Sequence, residues 1–559
     1  MIFAARQLIE KTLEQNSQAC IAFVDISKAF DSVNRNALFK ILQHIKCPTN
    51  LLTILKLLHQ GNTSAILVDG ETSEYFDIRT GVKQGCVLAP ALFLLYIQAI
   101  VNKAKSENEC GIDLVFRSDT NLFNKRGFSS TSKVKPIKLS ELMFADDAAL
   151  VAKTPDDLQA LVNAFNQAAK AFGLNVNVQK TEVMFVNCQS QPIKINDIIL
   201  KEVDTFKYLG SILSNNGDIS REIKNRINAA NQAFARLYNR VWKPHNLTLK
   251  TKTQIYSTIV LSTLLYSSEC WTLKAKHVQE LNAFHMRCLR TIAHVNWKDM
   301  IPNETVLQKT NMLKIDEIIR TRRLRWAGHL SRMDTERIPH QIAFSQLREG
   351  KRAQQKPKKR WTDLVKNDLK QLEINENNWR STAADRNLWR SKIHENIARK
   401  HERNIQEATQ KRQEQHEEQD QWKWQCPLCE FTREGRRGRQ YVSSHMSQAH
   451  KERIPVRNNS LICEHCGFVS KSKSGLTSHT KHRHPDAQSD SLQPIKTSLR
   501  ENVPTSNTQP SNQSQSTPSN NDPTCLACGR IFKSTAGLKS HMRGAACRGT
   551  AQSQTTSSR

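Results

Sequence analysis

The chain has 559 residues, with 82 Lys and Arg against 52 Asp and Glu, a formal net charge of +30 and an isoelectric point near 9.7. That length allows three or four folded units. The charge favours polyanionic partners, nucleic acid foremost, through counterion release, with a membrane-surface patch or plain solubility as the alternatives. No apolar run approaches the roughly 18 residues that span a bilayer. The opening MIFAARQL is too short for the apolar core of a signal peptide, so a soluble intracellular protein without membrane partners is expected.

Residues 1 to 215 alternate strand-like and helix-like segments. The apolar run CIAFVDI (20–26) predicts a strand. A helix should follow, with Leu38, Ile41, Leu42 and Ile45 on one face and a stop at Pro48. Next, LSELMF and AALVA flank the adjacent Asp146 and Asp147, which reads as a tight hairpin with both acids at its tip. Such tips ordinarily carry Gly or Asn, and this one has neither, so the carboxylates point to a use for their charge. Against that stands the bland reading of a solvated turn. Thr154 then caps a helix with Pro155 at its first position and Asp157 in its first turn. That helix buries Leu158, Leu161, Val162 and Phe165 and ends near Gly173. NVNVQKTEVMFV (175–186) closes the set as a strand region. Strand, helix, two strands, helix, strand is the split βαβ order, in which the first strand lies beside the hairpin. Asp25, at the end of that strand, is therefore expected to meet Asp146 and Asp147.

Residues 216–345 read as mostly helical, with Trp242, Trp271, Trp297 and Trp326 in a basic background. Residues 346–425 lose apolar density and gain charge, through KPKKRW (356–361) to KRQEQHEEQDQ (411–421), which predicts a basic linker or a long solvated helix. Arg320, Arg322, Arg323, Arg325 and the KPKKR run are expected to contact phosphates, and KPKKR also fits a nuclear-localisation patch. Residues 485–524, rich in Ser, Asn, Gln, Pro and Thr, should be disordered.

Seven cysteines before residue 300 (Cys20, Cys47, Cys86, Cys110, Cys188, Cys270, Cys288) suit buried small hydrophobes, and the seven after 425 suit metal ligands. Cys463-x2-Cys466-x12-His479-x4-His484 has the spacing of a ββα zinc finger, with His482 competing for the last place. Cys525-x2-Cys528-x12-His541-x5-Cys547 is a C2HC version, and Cys426-x2-Cys429-x15-His445-x4-His450 has a longer loop. Val442, Leu476 and Leu538 each stand three positions before the first histidine, where they would fill a miniature core. About three structural Zn²⁺ are expected. The units at 426–450, 463–484 and 525–547 are too irregularly linked to track one groove, so independent nucleic-acid or protein contacts are expected, with a structural zinc knob as the alternative.

Three aspartates converging on a strand end and a hairpin tip can hold two divalent cations, Mg²⁺ by its preference for oxygen, for polymerase or nuclease chemistry. FVDISKAFDSV, GVKQGCVLAPALF, FADD, GLNVNVQKTEVM, FKYLGSIL, LLYSSECWTL and RTRRLRWAGHLSR, in that order, resemble the reverse transcriptase of non-LTR (LINE-type) retrotransposons over residues 1 to 395. The resemblance implies an α+β right-hand palm with partial fingers (1–215), an antiparallel sheet of split βαβ order, a helical thumb-like region (216–345), and then the charged linker and the ββα fingers. It implies Asp25, Asp146 and Asp147 as catalytic Mg²⁺ ligands and Lys180 near the leaving pyrophosphate. Phe30 becomes the gate against a ribonucleotide 2′-OH. Gln84 and Gly85 support nucleotide and template, Gly85 through close backbone approach, and Tyr208, Leu209 and Gly210 grip the primer end. Only 24 residues precede Asp25, so a chain lacking most of the fingers and an upstream endonuclease is expected. The implied partners are an RNA template, a DNA primer or target and dNTPs, in the nucleus or a cytoplasmic ribonucleoprotein. The competing reading is an inactive remnant that binds nucleic acid through its fingers.

Overall fold

The computed structural model describes residues 1–117, 122–123, 134–352 and 359–450. The chain divides into two compact units, Met1–Gln415 and His416–Arg559. In the first unit, strands β1 (Ala19–Val24), β2 (Glu141–Phe144), β3 (Asp147–Ala152), β4 (Glu182–Val186) and β5 (Lys201–Glu202) form one sheet in the order β5-β4-β1-β3-β2. β1 pairs antiparallel with both β3 and β4, and β2 antiparallel with β3, which is the arrangement a split βαβ order generates. β5 joins parallel to β4.

Every residue of β1 is buried, because the sheet is covered on both faces. A strand so placed reads as an unbroken apolar run rather than an alternation. Cys20, Ala22 and Val24 face a core shared with the helices Arg35–His44, Ala89–Glu107 and Pro155–Ala171. Ala19, Ile21 and Phe23 face a second core built by the first helix, Ile2–Glu14, and by the hairpin of β6 (Thr205–Tyr208) and β7 (Ser211–Ser214). The Pro155–Ala171 helix has the expected cap, with Thr154 Oγ1 accepting from Asp157 N at 3.2 Å, and it buries Leu158, Leu161, Val162 and Phe165. It gives way at Gly173, whose φ of +81° is the left-handed value that glycine adopts freely. Two local readings differ. Ile45 lies past the end of the Arg35–His44 helix and is 50% exposed. In 175–186 an isolated bridge of Val176 to Ile26 comes first and the continuous strand starts only at Glu182, because Asn177 and Thr181 turn back to bind the backbone of Asp25.

After the sheet, a helical core closes around Trp242, Tyr256, Trp271, Phe284 and Ile319. We name α1 (Ser220–Arg236) and α2 (Ile315–Arg332) from this region, then α3 (Trp361–Gln371), α4 (Trp379–Ala384) and α5 (Arg386–Asp420). The last three correct the expectation of a charged linker over 346–425. Trp361, Val365, Leu369, Trp379, Trp389, Ile393 and Ile397 pack with Phe3 and Leu324 into a further core. Average hydropathy understates this segment because its apolar area is concentrated in three tryptophans, each able to bury roughly 150–250 Å². The long solvated helix is found beyond them, in the later turns of α5.

The arginines expected to touch phosphate are also corrected. Arg320 and Arg323 both pair with the buried Asp368 at 3.2 Å, and Arg322 donates to Leu265 O. Of that group Arg325 alone is exposed. Among the described residues no helix is long and apolar enough to cross a membrane. Part of the KPKKR run, the fingers at 463–484 and 525–547, and the stretch 485–524 lie outside the described residues.

Candidate catalytic site and metal centre

The β1–β3 register runs from Cys20 opposite Ala152 to Val24 opposite Ala148. One further step sets Asp25 opposite Asp147, on the same face of the sheet. Phe144 pairs with Asp147, so Ala145 and Asp146 make a two-residue turn. Ala145 occupies φ +54°, a conformation hairpins usually assign to glycine and one that costs an L-residue about 1–2 kcal/mol. Strain of that kind is retained where surrounding structure over-determines it, commonly at functional sites. The pKa of Asp147 is raised, first by partial loss of solvent and then by the charges of Asp146 and Asp25. Three carboxylates therefore share one electrostatic field, which a hard divalent cation would relieve, and this donor set fits Mg²⁺. The three stand more openly than the cysteine and histidine cluster, which is the set among the described residues whose donor atoms all lie within 4.8 Å of one another.

Asp25 is anchored from the far side of the sheet. Its N–H donates to Thr181 Oγ1 at 3.3 Å, its carbonyl accepts from Asn177 N at 2.8 Å, and Thr181 Oγ1 donates to Asn177 O at 2.8 Å. Thr181 is fully buried, and nothing in the sequence singles it out. Lys180, its neighbour, is exposed and close in sequence to this anchor. Phe30 is half-buried and stacked on Phe93 with ring centroids 4.5 Å apart, so its ring is held. Gln84 Nε2 lies 3.4 Å from both carboxylate oxygens of Asp31.

Gly81, in the same loop as Gly85, lies tight against the chain's own backbone. A Cβ on Gly85 would meet open space, whereas one on Gly81 would come 2.7 Å from Asp31 O. Tyr208 is corrected as a side-chain contact: it is buried, donates from its hydroxyl to Leu142 O at 3.0 Å, and has its pKa raised by burial and by Asp147. The turn that follows holds Leu209 at φ +49° and Gly210 at φ +77°. That turn is clamped by groups distant in sequence. Tyr266 donates to Leu209 O at 2.9 Å and Arg226 donates to Gly210 O, with the Arg226 guanidinium 4.6 Å above the Tyr266 ring. The fully buried Glu222 accepts from Ile212 N and from Arg226 Nε, both at 2.8 Å.

In the second unit, β8 (Lys423–Gln425), β9 (Thr432–Glu434) and α6 (Gly438–Ala449) form a ββα unit over a core of Trp424, Val442 and Met446. Cys429 Sγ lies 3.1 Å from His445 Nε2 and 3.3 Å from His450 Nε2, and Cys426 completes the cluster. Tetrahedral zinc with bonds of about 2.0–2.3 Å has ligand–ligand edges of roughly 3.5 Å, so this donor set fits the metal.

Comparison with known proteins bears on the first unit. Residues 2–213 match the family of the reverse transcriptase (RNA-dependent DNA polymerase). The reverse transcriptase match takes in the sheet, the paired aspartates and the clamped turn. The RNA-directed DNA polymerase from mobile element jockey of Drosophila melanogaster is 27% identical over 297 residues, 51% of this chain and 30% of that protein. The Pol polyprotein of the type-1 retrotransposable element R2 of Nasonia vitripennis is 26% identical over 36% of this chain and 19% of its own length. A transposon-derived protein of Caenorhabditis elegans is 25% identical over 47% of this chain and 98% of its own. The chain thus spans less than a third of the D. melanogaster jockey and N. vitripennis R2 proteins. Telomerase from Candida tropicalis is similar at 14% identity and a TM-score of 0.28 over 58% of this chain and 49% of that one.

Proposed function

We propose that the chain is an RNA-directed DNA polymerase of a non-LTR retrotransposon, extending a DNA primer on an RNA template with dNTPs. The observation that carries this reading is Asp25 opposite Asp147 with Asp146 in the adjoining turn, inside a reverse transcriptase match. Asp25, Asp146 and Asp147 would hold two Mg²⁺, which when bound neutralise charge developing on the attacking and leaving oxygens. The remaining work falls to the chain. Phe30, fixed by Phe93, blocks the space a 2′-OH would need. Gln84 and the Gly81–Gly85 loop support nucleotide and template, Lys180 offers positive charge to the departing pyrophosphate, and the Leu209–Gly210 turn orients the primer end. The Cys426, Cys429, His445 and His450 unit takes Zn²⁺ and, with the units at 463–484 and 525–547, contacts nucleic acid in the nucleus.

The test is primer extension on an RNA template, comparing the parent chain with Asp25→Asn and Asp146→Asn. Extension should be lost and RNA binding kept in both variants. A variant that extends as well as its parent refutes the site. A parent that binds RNA yet never extends refutes the polymerase and leaves a finger-bearing binding protein.

A further inference from the structure

With Arg320, Arg322 and Arg323 committed to the interior, the phosphate contacts of this region must come from elsewhere. We propose that Arg325, His329, Arg332, Arg337, Arg386 and Arg390 form one surface that binds the phosphodiester backbone of a nucleic acid. The fold brings them together from two helices. Arg325, His329 and Arg332 recur at i, i+4 and i+7 along the last turns of α2, so they share a face. α5 crosses α2 there, because Trp389 is seated against Gly328: a Cβ at Gly328 would lie 2.3 Å from Trp389 Nε1, which donates to Leu324 O at 3.0 Å. Arg332 donates to Ala383 O, tying the end of α2 to the last turn of α4, just before α5 begins. Arg386 and Arg390, one turn apart on either side of Trp389 in sequence, emerge beside it.

The charges feel one another. The pKa of His329 is lowered by burial and then by Arg332, Arg337 and Arg386, and that of Arg332 by burial and then by Arg386 and Arg390. Arg325, His329, Arg337, Arg386 and Arg390 are exposed, and among the described residues none of the six is in an ion pair, unlike Arg320 and Arg323. The nearby acids Asp385 and Asp334 bind backbone N–H groups, and Asp385 also attracts Arg332. Asp385 Oδ1 accepts from the N–H groups of Asn387 at 2.7 Å and Leu388 at 3.1 Å, and Asp334 Oδ1 accepts from Glu336 N at 3.0 Å. Cations at the end of α2 suit its dipole, but Arg386 and Arg390 sit at the N-terminus of α5, where the dipole is positive and an anion is favoured. Asp385 caps α5 and offsets part of the charge on Arg332, and the surplus of cations around it is the environment a phosphate group relieves.

The proposal rests on the nucleic-acid reading but not on the carboxylates, so it is tested by equilibrium binding of the full chain without Mg²⁺ or nucleotides. Arg386→Gln with Arg390→Gln is compared with the parent and with Lys40→Gln plus Lys194→Gln, which removes equal charge from exposed sites elsewhere. Labelled hairpin RNA and a 20-base-pair DNA duplex are titrated between 50 and 200 mM salt. Losing two phosphate contacts should flatten the log–log salt slope by about 1.4 to 1.8, so the affinity drop across that range shrinks about tenfold. A loss on both probes supports a surface that reads backbone common to RNA and DNA, and a loss on one names the source. Unchanged slopes, or an equal change in the lysine control, overturn the surface. So does a loss confined to vesicles of anionic lipid.

Discussion

Asp147→Asn should stabilise the metal-free protein while abolishing synthesis. Directly opposed residues on paired strands hold side chains about 5 Å apart, and two unit charges at that distance repel by about 1 kcal/mol in water and about 3 kcal/mol at an effective dielectric near 20. Asp147 is exposed, so the lower figure applies. Because its pKa is raised, the folded chain binds more protons than the unfolded one between the ordinary and the raised value. Stability is therefore lost as pH rises through the raised pKa. The asparagine variant escapes that loss, so its advantage should be full at pH 7.5 and absent below the ordinary carboxylate range. Thermal unfolding in EDTA should show a gain of about 2 °C at pH 7.5. Mg²⁺ at about 100 times its dissociation constant should stabilise the parent by up to about 2.7 kcal/mol and the variant by less. A variant no more stable than its parent in EDTA, together with an equal response of both to Mg²⁺, would refute the shared carboxylate site.

Tyr266→Phe removes one hydrogen bond from the Leu209 carbonyl, so stability should change by only about 0.5–1.5 kcal/mol, while the KM for primer rises and that for dNTP stays level. Equal changes in both KM values would mean that the clamped turn does not face the primer. Cys429→Ser, or chelation of the parent, should unfold residues 423–449 without altering the first unit, since structural zinc supplies on the order of 10 kcal/mol to such units. Hydrogen exchange reads this directly, and protection of α6 that survives chelation would remove the metal from the fold.

What the sequence determines here is local. The apolar run of β1, the Thr154 cap with Pro155 behind it, the glycine-free tip at Asp146 and the spacing from Cys426 to His450 each carry their meaning within a few residues, and the elements formed where these signals stand. Chain order and the rules of strand pairing were enough to bring Asp25 toward Asp147. Tertiary structure decided what depends on partners far along the chain. Gly81 packs against the backbone of Asp31, a contact set by a residue fifty positions away. Tyr208 is spent on Leu142, and its turn is held by Arg226 and Tyr266. The same basic string yields a half-buried Arg320, a buried Arg323 and an exposed Arg325, because Asp368 on another helix pairs with the first two. A charge or an aromatic ring has the same letter in water and in a core, and burial against distant groups assigns which of the two it occupies.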